Sequence, residues 1–185
     1  MITDIMNEAE DRMRKTVEVL RKELASVRAG RANPGMLEKI TVDYYGTPTP
    51  VNQLANISVP ESRMLIIQPW DKTSMPAIEK AILKSDLGLT PSNDGVVIRL
   101  TIPQLTAERR TEIVKTVKKK AEENRVAVRN IRRDLIDDIK KVEKEKVVSE
   151  DEAKKGQEKA QKLTDKYIKD IDDVLDKKEK EIMEV

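Results

Sequence analysis

The chain has 185 residues, of which 38% are hydrophobic and 38% charged, and its 36 Lys/Arg and 34 Asp/Glu leave a net charge of +2. It contains no Cys and no His, which removes disulfides, thiol nucleophiles, the usual zinc ligands and the commonest general base. With one Trp, three Tyr and no Phe, the core must rely on aliphatic side chains, which is typical of long packed helices.

The first predicted element is an amphipathic helix that ends near Gly30 and Pro34. Thr3 or Asp4 is expected to cap its start. Its apolar residues recur at steps of three or four, the period of a helix: Ile2, Ile5, Ala9, Met13, Val17, Leu20, Leu24 and Val27. The opening residues lack the features of a secretory or transit signal, and no run approaches the ~18 apolar residues of a membrane span. We therefore expect a cytoplasmic protein that does not associate with membranes.

The middle of the chain has a different composition. All eight prolines lie between positions 34 and 103, and five of the six glycines lie between 30 and 95, so long helices are excluded there. Runs rich in β-formers predict strands at 40–45, 55–59, 64–68 and 96–102, with a helix at 76–83 and turns at 46–50 and 88–95. We expect Tyr44, Tyr45 and Trp70 to form the core and rim of this small domain rather than to stack on bases.

Two more amphipathic helices follow the proline-rich region. One begins near Thr106 and runs to about residue 146. The other follows Ser149, which forms a capping box with Glu152. Three apolar stripes can bury one another in a bundle. The near-heptad spacing also allows a coiled-coil dimer, but internal packing satisfies the stripes and favours a monomer.

These elements predict an α+β protein of two domains. Residues 1–30 and 104–185 form an elongated three-helix bundle, and residues 31–103 form an inserted small α/β domain that is rich in β-structure. The chain passes between the domains twice, near 29–33 and 103–105, and paired connections of this kind favour a hinge. The predicted hinge residues are Gly30, Arg31, Ala32, Asn33, Pro103, Gln104 and Leu105.

Arginine is distributed unevenly along the chain. All thirteen arginines lie within residues 1–133, where 23 Lys/Arg oppose 17 Asp/Glu, whereas residues 134–185 carry 13 Lys and 17 Asp/Glu. Four arginines fall between positions 125 and 133 with no acidic residue in that run before Asp134. Helical spacing places them on one flank, beside a separate apolar stripe of Val128, Ile131 and Leu135. The four are Arg125, Arg129, Arg132 and Arg133.

This arginine run has two interpretations from the residues alone. The planar guanidinium grips phosphate with two hydrogen bonds and stacks on bases, which favours a polyanion-binding surface. Charge runs on helices are also often solvated faces without a ligand. The concentration of arginine in the first 133 residues favours the first interpretation.

Two smaller arginine pairs flank the predicted hinge. Arg28 and Arg31 lie at the end of the first helix, where positive charge complements the helix dipole without any ligand. Arg109 and Arg110 begin the next long helix, where cations oppose the dipole, which favours an anionic partner. The sequence contains no phosphate-binding loop and no supported acid–base pair of carboxylates. We therefore predict no catalytic, cofactor or metal site and no enzymatic activity.

Five segments together resemble the bacterial ribosome recycling factor family, and the resemblance covers all 185 residues. They are 27–34 (VRAGRANP), 44–55 with YYGTPTP followed by QLA, 85–89 (SDLGL), 105–110 (LTAERR) and the arginine run at 125–134. The resemblance implies an L-shaped translation factor. With elongation factor G and GTP, such a factor splits the post-termination ribosome into subunits.

The resemblance also implies contact with large-subunit ribosomal RNA at the intersubunit face. Carried onto this chain, the RNA-binding residues are expected to be Arg28, Arg31, Arg109, Arg110, Arg125, Arg129, Arg132 and Arg133. The alternative is a general nucleic-acid-binding or coiled-coil scaffold module, for which the charged helices would suffice and the small domain would have no role.

Overall fold

The computed structural model of the chain describes residues 1–184, which form two compact units. The first, called the helical domain below, combines Met1–Val27 with the residues from Ala107 onward. The second, the small domain, is Arg28–Thr106. The prolines all lie in the small domain, so each long helix of the other unit is uninterrupted.

The helical domain is a bundle of α1 (Ile2–Ala25), α3 (Ala107–Lys144) and α4 (Glu150–Met183). The predicted apolar stripes form its core, and with the small domain it gives the predicted α+β fold of two domains. The Ser149 hydroxyl accepts a 3.1 Å hydrogen bond from the Glu152 N–H, as the capping box predicts. The expected cap at Thr3 or Asp4 is wrong, because α1 already begins at Ile2 and places both residues inside its first turn.

Polar contacts set the alignment of α1 against α3. The Asn124 side-chain amide donates a 2.8 Å hydrogen bond to the Thr16 carbonyl, and Arg12 lies 3.2 Å from the Asp134 carboxylate. Within residues 1–184, no helix is both long enough and apolar enough to cross a membrane.

The small domain contains α2 (Met75–Lys84) and two antiparallel sheets. The first sheet pairs β1 (Thr41–Tyr44) with β2 (Thr47–Pro50). The second has the order β3-β4-β6-β5, from β3 (Ala55–Glu61), β4 (Met64–Pro69), β5 (Ser92–Asn93) and β6 (Ile98–Thr101). Single 3-10 turns at Pro34–Leu37, Val51–Gln53 and Lys72–Ser74 connect these elements, and an aliphatic core that includes Leu65, Ile78 and Leu100 joins α2 to the sheets.

The prediction of a turn over residues 46–50 is wrong, because Thr47–Pro50 forms β2. The turn consists of Tyr45 and Gly46 alone, whose φ angles of 51° and 81° are those of a tight hairpin turn. With this two-residue loop, Pro48 and Pro50 occupy non-hydrogen-bonded pairs of the ladder. Neither proline therefore removes a hydrogen bond between β1 and β2. Ser92–Asn93 of the predicted turn at 88–95 likewise forms β5.

The aromatic residues were expected to form the core and rim of the small domain, and none of the three lies in its core. Tyr45 is 81% exposed and Trp70 is 67% exposed. Tyr44 is half-buried and packs against the edge of the core. The aliphatic side chains fill the interior without the larger rings.

Candidate nucleic-acid interface

The arginine run lies on α3, which is fixed in the bundle by the apolar residues between the arginines. Val128, Ile131 and Leu135 are buried, and the arginines lie on the flank beside this stripe, outside the core. The four arginines of this flank differ in their contacts. Two reach across to α4, and two face away from it.

Arg125 is held by two carboxylates and is only 19% exposed. Its Nε and Nη2 atoms donate to one oxygen of Asp172 on α4, at 2.9 and 2.7 Å, and its Nη1 donates to Glu122 at 2.9 Å. Burial, the largest single effect, disfavours the charged form of Arg125, but the hydrogen bonds with Asp172 and Glu122 together raise its pKa above the ordinary value. The sequence predicted no acidic partner inside the run; the structure supplies partners from one turn earlier and from another helix.

Arg132 also reaches α4, but through a neutral partner. Its Nη1 donates to the Gln161 side-chain oxygen at 2.9 Å, and the Gln161 amide donates to Asp165 at 2.8 Å. The Nε atom of Arg132 is buried and has no hydrogen-bond partner within the described part of the chain. The guanidinium is thus oriented by Gln161 without being neutralised by a directly bonded carboxylate.

The remaining two arginines of the run point outward. Arg129 is half-exposed and lies 3.5 Å from Glu122. Arg133 is exposed and has no hydrogen bond or ion pair with any other residue of 1–184. They lie four residues apart on one face, so their Cα atoms are about 6 Å apart along the helix axis. This spacing suits adjacent phosphates of one nucleic-acid strand.

The two other predicted arginines of α3 do not join this cluster. Arg109 and Arg110 lie on the same helix, about 22 Å along its axis from Arg125. Arg109 pairs with Glu112 at 3.0 Å, and Arg110 has a buried Nε atom that lacks a partner among residues 1–184.

Arg28 and Arg31 belong to the small domain, and Arg28 is used within it. Its Nη1 atom donates to the Leu87 carbonyl at 2.6 Å, and its Nη2 donates to the Asp86 carbonyl at 3.3 Å. These bonds fasten the loop that follows α2 to the start of the domain. Arg31 is exposed. In the described part of the chain, no group of three or more Asp or Glu side chains is arranged to hold a metal ion.

The family model for ribosome recycling factor matches residues 20–183, which is most of the chain. The chain belongs to the ribosome recycling factor family. The resemblance inferred from the five sequence motifs is therefore confirmed. The match spans the helical domain, the small domain and the arginine run.

Individual members of the ribosome recycling factor family agree over the full length. The factor from Desulfitobacterium hafniense (strain Y51) is 72% identical over 185 residues, and that from Heliobacterium modesticaldum is 68% identical over 185 residues, with 100% of both chains covered in each case.

Two solved structures of ribosome recycling factors are similar to this chain. A solution structure has a TM-score of 0.79 and 48% identity and covers 100% of this chain and 98% of its own. The second, with a TM-score of 0.67, 46% identity and 99% of both chains covered, belongs to models for the T. thermophilus ribosome recycling factor and the E. coli elongation factor G bound to the E. coli post-termination complex.

The sequence did not reveal the residues of α4 that bind Arg125 and Arg132 and so distinguish them from Arg129 and Arg133. Asp172 and Gln161 lie 47 and 29 residues away from the arginines that they bind. The negative charge of the last 52 residues is the one signal that could have indicated them, because it places carboxylates on the helix that packs beside the arginines.

Proposed function

We propose that this chain acts with elongation factor G and GTP to split the post-termination ribosome into subunits, and that it binds large-subunit ribosomal RNA at the intersubunit face through the arginine flank of α3. The observation that carries this proposal is full-length membership of the ribosome recycling factor family. A similar factor, 46% identical, appears with elongation factor G on a post-termination complex. The chain itself performs no chemistry in this proposal and acts as a monomer in the cytoplasm.

The helical domain supplies a stiff surface for this contact. α3 has 38 residues, which corresponds to about 57 Å, and apolar residues anchor it along most of that length. A packed helix of this kind can carry load without bending, whereas arginines on a mobile loop would yield when the subunits are pushed apart.

Within the arginine flank we assign different roles to the side chains. Arg129, Arg132 and Arg133 are proposed to contact phosphate, because Arg129 pairs with a carboxylate, Glu122, that Arg125 also binds, Arg132 bonds to the neutral Gln161, and Arg133 is exposed. Arg125 is proposed to position α3 against α4, because its two carboxylate partners already neutralise it. Arg109 and Arg110 extend the basic surface along the helix. Arg28 and Arg31 add a contact from the small domain.

The hinge predicted at residues 29–33 and 103–105 is part of this proposal, since splitting requires one domain to move under the push of elongation factor G. Gly30 has a φ of +74°, and a Cβ atom there would lie 3.1 Å from the Leu105 side chain. The two connecting segments therefore lie against each other, and a side chain at position 30 would be strained by the positive φ and crowded by Leu105.

The deciding experiment measures light scattering of post-termination ribosomes mixed with the chain, elongation factor G and GTP. We expect scattering to fall as subunits separate. The variant Arg129→Glu/Arg133→Glu should bind the large subunit at least ten-fold more weakly at unchanged helicity. A matched control is Lys155→Glu, which reverses an exposed charge that pairs with Asp151, one turn earlier on α4. If wild type leaves the ribosomes intact, the recycling function is refuted.

Salt dependence tests the RNA contact separately. Each phosphate contact should contribute roughly 0.7 to 0.9 log units of affinity per decade of salt, and the double variant should show a slope smaller by about two contacts. Equal slopes for wild type and variant would show that these arginines do not meet phosphate. If the wild-type chain splits ribosomes but its affinity for the large subunit does not change with salt, a protein contact on this flank would be favoured.

A further inference from the structure

Two of the four aromatic residues of the chain are so exposed that they contribute little to the stability of the fold. Among the described residues, Tyr45 and Trp70 are the two most exposed large apolar side chains, at 81% and 67%. Together with the half-buried Tyr44, we call them the aromatic corner. Large exposed rings on a small domain with a complete aliphatic core are typical of a contact surface.

The backbone at Tyr45 supports a role outside the fold. Its φ of 51° lies in the left-handed region, and Gly46 follows at 81°, which defines a two-residue hairpin turn of type I′. Gly is preferred at such a position because it has no Cβ atom to crowd the backbone, and Asn because its short polar side chain can hydrogen-bond locally. Folding alone would select a different residue, so the tyrosine ring is best explained by a contact that it makes with another molecule.

The corner is held rigid by its neighbours. The rings of Tyr44 and Tyr45 meet edge to face, with centroids 4.6 Å apart and planes at 71°. The Tyr44 hydroxyl donates a 3.0 Å hydrogen bond to Asp71, which also accepts bonds from the backbone and hydroxyl of Thr73. Trp70 precedes Asp71, and its backbone N–H donates to the Leu54 carbonyl at 3.1 Å, which fixes the main chain from which the indole projects. A preorganised surface loses little entropy when it binds.

A carboxylate lies directly against the rings, since Asp71 accepts the hydrogen bond of the Tyr44 hydroxyl. Asp43 and Asp71 flank the rings in sequence, with Lys72 as the neighbouring cation. Hydrogen bonds from Thr73, and then from Tyr44, lower the pKa of Asp71, so its carboxylate is ionised at neutral pH. These carboxylates would repel phosphate.

The arginines of the connecting segments lie at the other end of the small domain. Arg63 precedes β4 and Trp70 follows it, so the six-residue strand separates them by about 20 Å. The N–H of Ala32, next to Arg31, donates to the carbonyl of Ser62 beside Arg63. The aromatic corner is therefore distinct from these basic residues.

We propose that the aromatic corner docks a protein surface that presents a lysine or arginine side chain beside an apolar hollow. The cation would lie over the face of Tyr45 or Trp70, with Asp43 and Asp71 close enough to complement its charge. This contact adds a protein partner site to the proposed recycling function and does not use the arginine flank of α3.

A photocrosslinking experiment identifies the chemistry of the partner. Tyr45 is replaced by p-benzoyl-phenylalanine, and the full chain is irradiated on post-termination ribosomes with elongation factor G and GTP. We expect a crosslink to a protein segment that contains Lys or Arg, identified by mass spectrometry. A crosslink to RNA, a crosslink to a segment without a cation, or no crosslink would overturn the proposal.

The substitution Tyr45→Asn should have opposite effects on stability and on function. Because Asn tolerates the left-handed region, the melting temperature should rise by about 2–4 °C. Subunit splitting at limiting factor concentration should require about ten-fold more protein, as expected for a contact hot spot. Leu83→Ser, which removes another exposed apolar side chain of the small domain, is the control and should split ribosomes like wild type.

The two proposals fail separately in this design. If wild type splits ribosomes and Tyr45→Asn does so equally well, the aromatic corner is not a docking site and the recycling function stands. If wild type does not split ribosomes, the recycling function fails, and the crosslink alone then tests the corner on the same ribosomes.

Discussion

The different roles assigned to the arginines of α3 can be tested at Arg125. The substitution Arg125→Met keeps an unbranched, flexible apolar stem at this position and removes the hydrogen bonds to Asp172 and Glu122. Asp172→Asn removes the charge from the other side of the α3–α4 contact. If Arg125 positions the helices, these variants should lower the stability of the helical domain and have a smaller effect on RNA binding.

The geometry sets the expected size of the effect. Arg125 makes three hydrogen bonds of 2.7 to 2.9 Å and is 19% exposed, but Asp172 is 54% exposed and partly screened by solvent. Exposed ion pairs contribute about 0.2–1 kcal/mol, and hydrogen bonds to charged groups about 1.5–3 kcal/mol. We therefore expect Arg125→Met to destabilise the helical domain by about 1–2 kcal/mol. The coupling energy with Asp172 should be about 1 kcal/mol.

Urea unfolding followed by far-UV circular dichroism measures these quantities for wild type, both single variants and the double variant. Large-subunit binding is measured in parallel, and Arg125→Met should lose less affinity than Arg133→Glu. A coupling energy near zero, or a ten-fold loss of binding by Arg125→Met at full stability, would refute the positioning role and make Arg125 a contact residue.

Three further predictions concern the packing and charge of each domain. Gly156→Ala should stabilise the helical domain by less than about 1 kcal/mol, because the gain in helix propensity exceeds the cost of the contacts that the new Cβ would make, at 3.3 Å with Ile139 Cδ1 and at 3.4 Å with Ile2 Cγ2. Thermal unfolding that shows a large loss of stability would contradict this. Asp94 has a pKa of about 2, below its ordinary 3.8, owing to bonds from the Val97 and Val96 N–H groups and then from Arg99. The ionised Asp94 carboxylate therefore stabilises the folded small domain fully above about pH 4, and this contribution is lost as the pH falls toward 2. Asp94→Asn should be less stable than wild type at pH 7 and equally stable near pH 2, as measured by Trp70 fluorescence during urea unfolding. Arg28→Met should speed amide hydrogen exchange at residues 85–89 by about ten-fold, because the Leu87 carbonyl loses its donor, and unchanged exchange would mean that the loop is held by other contacts.

The helical domain could be predicted closely because its signals are local. Residues at steps of three and four define the buried face of each helix whatever packs against it, and Val128, Ile131 and Leu135 are buried as their spacing predicts. The cap at Ser149 is also local, since it involves residues three apart.

The partners of the arginines could not be predicted in the same way. Which residue of α4 faces Arg125 depends on the axial alignment of two long helices, and a shift of one turn would replace Asp172 by another side chain. The small domain shows a related difficulty. The exposed positions of Tyr45 and Trp70 follow from how α2 and the strands fill the core, which composition alone does not reveal.

The alternating prolines of β2 affect more than the pairing with β1. At the non-hydrogen-bonded positions of a ladder, the N–H groups of a strand point away from its partner, and here those positions are Pro48 and Pro50. The free edge of β2 therefore has no N–H to offer at these positions. An incoming strand from another copy could not complete a ladder there, so the hairpin that presents Tyr45 is protected from edge-to-edge aggregation while its tip stays exposed.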